Sequence, residues 1–321
     1  MRVFVTGASG FIGGAVARAL AAQHSVFAMS RSAGSDTVIE ALGAQPLRCD
    51  LAGLRPGDLP EIDAVVHCAA WVEPWGTRSE YWEANVAGTD RLLAAARAAG
   101  ARRFVHMSTE AVLWRGQHLR DVDETHPYAV ETPYLYSETK AEAERRVLAS
   151  STDSFTTIAL RPRFVWGPGD RTLAPQIKMM VEGGAFFWLD GGRARTSTTH
   201  VANLVHAVEL ALEGGRGGEA YFVTDGEVSD FRSFVPRMMA PYGVTLPERS
   251  LPGWLARPAA AVIEGIWRAL RIRSQPPATR HAIDLMCCDC VVIDEKARRE
   301  LGYAPVLSVE QGLEELARCM H

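Results

Sequence analysis

Apolar and polar positions follow two alternating periods along this chain. The runs RVFVT from Arg2, SVFAMS from Ser25, PLRCD from Pro46, DAVVHCAA from Asp63, RFVHMST from Arg103 and FTTIALRP from Phe155 are short, largely apolar and bounded by polar or glycine-containing segments. They predict buried strands. Between them, helical spacing of apolar positions predicts helices over Ile12 to Ala22, Glu80 to Ala99 and Tyr134 to Ala149. Strands alternating with helices predict a parallel sheet covered on both faces, the doubly wound α/β class.

After Gly169 the pattern loosens. A helix is expected from Ala174 to Glu182, then an aromatic run AFFWL, a helix from Val201 to Leu212 and a strand AYFVT from Ala220. The second half therefore supplies both the sheet and a smaller, mostly C-terminal substrate-binding lobe. Residues 1–164 form the sheet domain, 196–225 return to it, and 165–195 with 226–321 make the lobe and its C-terminal helices. No linker separates the two. The stretch LPGWLARPAAAVIEGIWRALRI, Leu251 to Ile272, is apolar on most turns but carries Arg257, Glu264 and Arg268. That is too much charge for a membrane span, so a pocket wall is expected, with an interfacial helix in peripheral membrane contact as the other reading.

Composition changes little in this picture. The 321 residues are 47% hydrophobic with a formal charge of −4, which describes an ordinary soluble globular chain. Arginines are scattered among carboxylates, so no basic footprint calls for nucleic acid. No basic leader precedes the first apolar run, and a cytoplasmic location is expected. Six cysteines include Cys287, Cys288 and Cys290, but no second CxxC or close histidine pair completes a metal site. Reduced, idle thiols and no metal are expected.

Candidate chemistry begins at TGASGFIGG. Gly7 permits a tight turn, Gly10 close approach of a pyrophosphate, and Gly13 close packing of the helix, so a dinucleotide is expected there, with Ser9, Phe11 and Ile12 beside it. At the end of the second strand the chain reads Ser30 and Arg31, where a carboxylate would hold an unphosphorylated ribose. Guanidinium and hydroxyl suit a 2′-phosphate, so NADP is expected, with NAD left open if Arg31 only stacks on adenine. Tyr136 and Lys140 share a helix face at i and i+4, and an ammonium near a phenol makes it a usable acid or base. Ser108 and Thr109 end an apolar strand at the crevice edge, where a hydroxyl can hold a substrate carbonyl.

With HCAA at His67, YWEANVAGT around Asn85, MST at 107–109, YSETK, LRPRFVWGPGD and LGYAPVLSVEQGL, the chain resembles the extended short-chain dehydrogenase/reductases almost throughout. PYLYSETKAEAERRVL and THVANLVHAVELA are most similar to the 3β-hydroxysteroid dehydrogenase-like branch. The resemblance implies a Rossmann fold, Tyr136 as acid/base, Lys140 as its electrostatic partner, Thr109 (with Ser108 as second choice) orienting the carbonyl, and Asn85 supporting the strand and a relay water. It implies cofactor contacts at Asp50, Leu51, Cys68, Ala69, Ala70, Pro162 and Val165. Trp71, Glu110, Trp114, Arg163, Trp166 and Trp188 are expected to line the substrate. A ketone and secondary alcohol on a small hydrophobic substrate would be interconverted. The alternative is a nucleotide-sugar epimerase or dehydratase that recycles a bound cofactor: Glu110 after Thr109 keeps the dehydratase open, whereas RFVWGP lacks the sugar-holding asparagine. A homodimer through the helices at 80–99 and 134–149 is also implied.

Overall fold

The computed structural model describes residues 1–73 and 75–320. Seven parallel strands form the central sheet: β1 (Arg2–Thr6), β2 (Ser25–Ser30), β3 (Gln45–Arg48), β4 (Ala64–His67), β5 (Arg103–Met107), β6 (Thr156–Pro162) and β7 (Glu219–Val223), in spatial order β7-β6-β5-β4-β1-β2-β3. Side chains of consecutive residues leave a strand on opposite faces. Thus Val3 and Val5 enter one core while Phe4 enters the other, and Ala64 and Val66 oppose Val65 in the same way. Both faces are buried, which is why these strands read as continuous apolar runs.

The helices that position the site are α1 (Phe11–Ala21), α2 (Ala33–Ala41), α3 (Gly88–Ala98), α4 (Leu135–Ala149), α5 (Val201–Glu213), α6 (Gly253–Ala269) and α7 (Arg280–Cys287). Val16 and Leu20 of α1 pack with Leu204 and Val208 of α5 on one face of the sheet. Leu92 of α3 and Val147 of α4 cover the other. The helix expected over Glu80 to Ala99 is interrupted: a π-helical turn, Glu83–Ala87, joins Arg78–Trp82 to α3. The extra residue in that turn leaves Asn85 buried beside the site.

A second core, built on Trp166, Trp188, Phe231, Phe234, Met238 and Leu313, organises the lobe. The division of the chain is less clean than its sequence predicts. Leu119–Val122, from the first 164 residues, joins a four-stranded sheet with Val228–Asp230, Arg195–Ser197 and Cys290–Val292. Ala297, Leu301 and Tyr303, expected in the lobe, pack into the main core beside α5. Burial of those three apolar side chains is more favourable against the sheet than in solvent, and no local periodicity announces it. Among the described residues no helix is long and apolar enough to cross a membrane.

Candidate active site

The turn from β1 into α1 is built without side chains where space runs out. Gly7 adopts φ +73°, and a Cβ there would lie 2.9 Å from the Ala69 backbone nitrogen; a Cβ at Gly13 would lie 2.3 Å from the Gly7 carbonyl oxygen. Either methyl group would drive α1 away from β1 and from the end of β4. Gly10 occupies the N-cap and offers no side chain to the amides of Phe11, Ile12 and Gly13, so the positive end of α1 is directed at the crevice. This cradle fits a dinucleotide pyrophosphate. Ala69, whose amide donates to Thr6 Oγ1 at 3.1 Å, lies below it with Cys68, whose thiol burial pushes up to about 12. Ser9 is exposed, and Phe11, Ile12 and Ala70 are half-buried. Pro162 closes β6 against Val223, and Val165 pairs with Thr199 across the crevice edge.

At the end of β2 the structure corrects one assignment. Ser30 is buried and its hydroxyl donates to Asp36 Oδ1 at 2.5 Å, so its one proton is committed inside the protein and it is no free donor for a phosphate. Arg31 is exposed. Parallel pairing sets Arg48 of β3 beside Ser30, and its Nε donates to Asp36 at 2.9 Å. Hydrogen bonds from Arg48 and then Ser30 hold the Asp36 carboxyl below its usual range. Neither Asp36 nor Arg48 was visible as a site residue in the sequence, since only the β2–β3 register brings them to Ser30. Next to them a cleft of about 380 Å3 is lined by Arg48, Cys49, Asp50, Gly53, Leu54 and Asp58. Asp50 folds its carboxylate onto the Ala52 amide at 2.9 Å, while Leu51 is buried and its carbonyl accepts from Arg91 Nε at 2.7 Å.

The carboxyl end of β5 brings the hydroxyl groups together. Thr109 accepts from the Ala111 amide at 3.2 Å and donates to Glu110 Oε2 at 2.8 Å. Tyr136, on the first turn of α4, reaches the same spot. Burial and then the Glu110 carboxylate push its phenol well above the ordinary tyrosine range, and the nearby Thr109 hydroxyl opposes them. Ser108 is buried near the Glu144 carboxylate, which Arg161 holds with Nε at 3.0 Å, and its own Oγ has no hydrogen-bond partner among the described residues.

Lys140 departs from the expected pairing. Its ammonium donates to the Met107 carbonyl at 2.7 Å and lies 3.3 Å from His106 Nε2, and among the described residues it makes no hydrogen bond to Tyr136. One turn of helix puts the two on one face, but the long lysine stem carries its charge onward to β5. The phenol is accordingly raised rather than lowered. Burial lowers Lys140 to about 8, with Glu144 and Cys68 opposing. Because the fold disfavours the charged form, its burden on stability is full below pH 8 and is relieved as pH rises from about 8 towards the ordinary 10.5. Wild-type stability should therefore gain on Lys140→Met over that interval in urea unfolding; a gap independent of pH would refute the desolvation of Lys140.

Asn85 is fully engaged. Its Oδ1 accepts from the Trp71 amide at 2.6 Å, and its Nδ2 donates to the Trp71 carbonyl at 3.2 Å and Thr139 Oγ1 at 3.1 Å. It pins the loop after β4 to α4 and, so bonded, has little capacity left for a relay water. That loop holds Trp71 edge-on to Tyr81, with ring centroids 6.4 Å apart. Glu110 and Arg163 form a buried ion pair at 2.7 Å, and Arg163 Nε also donates to Thr196 at 3.2 Å. Trp114 stacks on Tyr134 with centroids 4.9 Å apart.

Two expected substrate contacts lie elsewhere. Trp166 is completely buried in the lobe core, its Nε1 donating to Asp225 at 2.8 Å, and Trp188 is buried with Nε1 on the Pro247 carbonyl at 2.9 Å. Both indoles are satisfied internally and fill the lobe, as large aromatics most often do. In their place α7 delivers His281, which the sequence did not mark. Its ring meets Tyr134, Trp114 and Tyr136 edge-on at 5.1, 5.3 and 6.5 Å. Burial and then Arg163 lower it to about 4, Asp284 opposing, so it is neutral near pH 7; its Nε2 is buried without a protein partner.

A seven-stranded parallel sheet with a glycine cradle at its first strand, and hydroxyls gathered at the ends of β5 and α4, defines the extended short-chain dehydrogenase/reductase class. The chain belongs to the 3-beta hydroxysteroid dehydrogenase/isomerase family, whose pattern matches residues 4–253. It is 43% identical over 320 residues, 98% of this chain and 96% of the relative, to the 4-hydroxy-2-methyl-3-oxo-4-farnesyl-3,4-dihydroquinoline-1-oxide ketoreductase of Stigmatella aurantiaca. It is 36% identical, over 98% of both chains, to the 2-alkyl-3-oxoalkanoate reductase of Stenotrophomonas maltophilia. The crystal structure of UDP-glucuronic acid 4-epimerase from Bacillus cereus in complex with NAD shares the fold, with a TM-score of 0.75 at 22% identity over 100% of this chain and 98% of that one. The protein is thus an enzyme of a dehydrogenase and reductase family.

Proposed function

We propose that the enzyme reduces a ketone on a small lipophilic substrate to a secondary alcohol, with NADP as cofactor. The observation that carries this reading is the placing of the buried Tyr136 phenol near Thr109 and Glu110 at the carboxyl end of β5, in a fold whose first turn carries the Gly7 and Gly13 cradle. A bound nicotinamide supplies the hydride. On substrate binding the Thr109 hydroxyl turns from Glu110 to the carbonyl oxygen and fixes it, and Tyr136 passes its phenolic proton to that oxygen as negative charge develops. A phenol held protonated by burial and by Glu110 suits proton donation, hence the direction of reduction. The two curated relatives named above act, by their names, on oxo groups accompanied by further oxygens and apolar chains. His281 Nε2, buried and unpartnered, is the group we assign to such a second oxygen, because an unmet buried donor or acceptor gains most from a ligand that satisfies it.

The preference for NADP rests on exposed Arg31. Arg31→Asp should raise the NADPH dissociation constant roughly 10- to 100-fold, as expected for losing a charge-assisted contact, and change that of NADH by less than about threefold. Equal losses for both, measured by fluorescence titration, would remove Arg31 from cofactor selection. A dehydratase needs a mobile acid near Tyr136, whereas Glu110 is held by Arg163, and an epimerase of nucleotide sugars would want the sugar-holding asparagine that RFVWGP lacks. Assaying 2-alkyl-3-oxoalkanoates and UDP-glucuronic acid side by side tests the choice. Nicotinamide oxidation with the first and no conversion of the second is expected, and the reverse outcome would overturn the reading.

A further inference from the structure

Helix α6 turns one side to the protein and the other to solvent. Gly253, Ala260 and Glu264 are buried, and the helix packs on α7, where Glu264 accepts from the Arg280 amide at 2.7 Å and from its Nε at 3.1 Å. On the outer side Trp254 is 74% exposed, Leu255 49%, Val262 63%, Ile266 46% and Leu270, the residue after the helix, 67%. Only proline, alanine and glycine lie between them on this face. At about 100° per residue these positions sweep roughly 160° of the circumference without a charge. Scattered exposed apolar residues need no explanation, whereas a contiguous face of this kind marks a contact. The face continues onto the loop after β4, where Val72 is 57% exposed and Trp75 Nε1 donates to the Ile272 carbonyl at 3.1 Å.

At the C-terminal end of the helix the charges bordering this face are arginines, while exposed Glu73 lies on the loop beside Val72. Arg268 stands at its border, with its guanidinium 5.6 Å from the Trp75 ring centroid, and exposed Arg271 and Arg273 follow. The carboxylate of the helix itself, Glu264, is turned inward. Arg257 lies beneath, paired with Asp284, and Glu80, which caps its own helix at Thr77, faces Arg273.

We propose that α6 docks on the surface of an anionic lipid bilayer, its apolar arc entering the acyl boundary while Arg268 and Arg271 meet headgroup phosphates. Charge complementarity selects this occupant over a second copy. Two α6 helices paired about a two-fold axis would match apolar surface to apolar surface, but the exposed side of α6 carries no carboxylate for the other's arginines, and exposed Glu73 and Glu80 lie off the helix beside the loop after β4. Phosphates supply that partner. The inference stands on the exposed face and is independent of the reaction assigned above.

Co-sedimentation of the full chain with vesicles tests it, using pure phosphatidylcholine and phosphatidylcholine containing one quarter phosphatidylglycerol. Wild type should pellet with the anionic vesicles and much less with the neutral ones. Val262→Glu combined with Ile266→Glu should lower the bound fraction about tenfold or more, and Arg268→Glu should erase the preference for anionic vesicles, each with an unchanged thermal melt. Should the double variant fail to fold, Trp254→Ser serves at the most exposed position. Wild type remaining in the supernatant with both vesicle types, or undiminished binding by the folded variants, would overturn the proposal. So would a wild-type dimer in light scattering that the double variant splits into monomers, because a second copy would then cover the face.

Discussion

Replacing Tyr136 with phenylalanine is expected to lower kcat for ketone reduction by about 10²- to 10⁴-fold, the range over which a positioned acid contributes. The ring is retained, so its edge contact with His281 and its packing on the first turn of α4 survive. What disappears is the proton that neutralises the developing alkoxide, and with it the hydroxyl near Thr109. The ketone KM and the NADPH dissociation constant should each stay within about threefold, because neither the glycine cradle nor Arg31 touches the phenol. Steady-state kinetics with a 2-alkyl-3-oxoalkanoate, alongside fluorescence titration of the cofactor, separate the two effects. A kcat near wild type would withdraw Tyr136 as the acid. The same reasoning predicts that wild-type reduction holds its rate through neutral pH, since burial and Glu110 keep the proton on the phenol well beyond it.

The second large effect concerns the ion pair under the site. Arg163→Met should cost about 3–5 kcal/mol of stability, because it leaves the Glu110 carboxylate buried without its counter-charge. Glu110→Gln together with Arg163→Met replaces the pair by neutral groups of similar size and should recover much of the loss. Urea unfolding of the single and double variants reads this directly. If the double variant were as unstable as Arg163→Met alone, packing of the arginine stem, rather than the orphaned charge, would be the cause. Activity carries a second readout. With Arg163 gone, Glu110 is no longer held near Tyr136, where its charge keeps the phenol protonated, so turnover should fall even at temperatures where the variant is folded.

The nucleotide cradle, the seven strands of the sheet and the Tyr136 and Lys140 face of α4 were legible because each is a local matter. A glycine where a Cβ would meet backbone, a continuous apolar run, and an i, i+4 spacing are all properties of a few neighbouring residues. Local spacing also overreached. It placed Tyr136 and Lys140 on one face but said nothing of where the lysine's four-carbon stem ends, and the ammonium lies at the Met107 carbonyl. The aromatic runs around Trp166 and Trp188 read equally well as pocket wall or as core, and burial of both indoles decided for the core.

By itself, then, the chain determined the class of fold, the strand ends at which a site forms, and the residue types offered there, since all three follow from periodicity and turn chemistry. Only the tertiary structure decided which of those residues are free. The Ser30 hydroxyl was taken up by Asp36, and the β2–β3 register brought Arg48 beside Ser30. A π-helical turn buried Asn85 among hydrogen bonds that use up its amide. The folding back of the lobe set His281 of α7 against Tyr136, some 145 positions away (281 − 136), and left the apolar arc of α6 facing solvent. Contacts of that separation are chosen by the packing of whole elements, and no pattern within a turn or a strand encodes them.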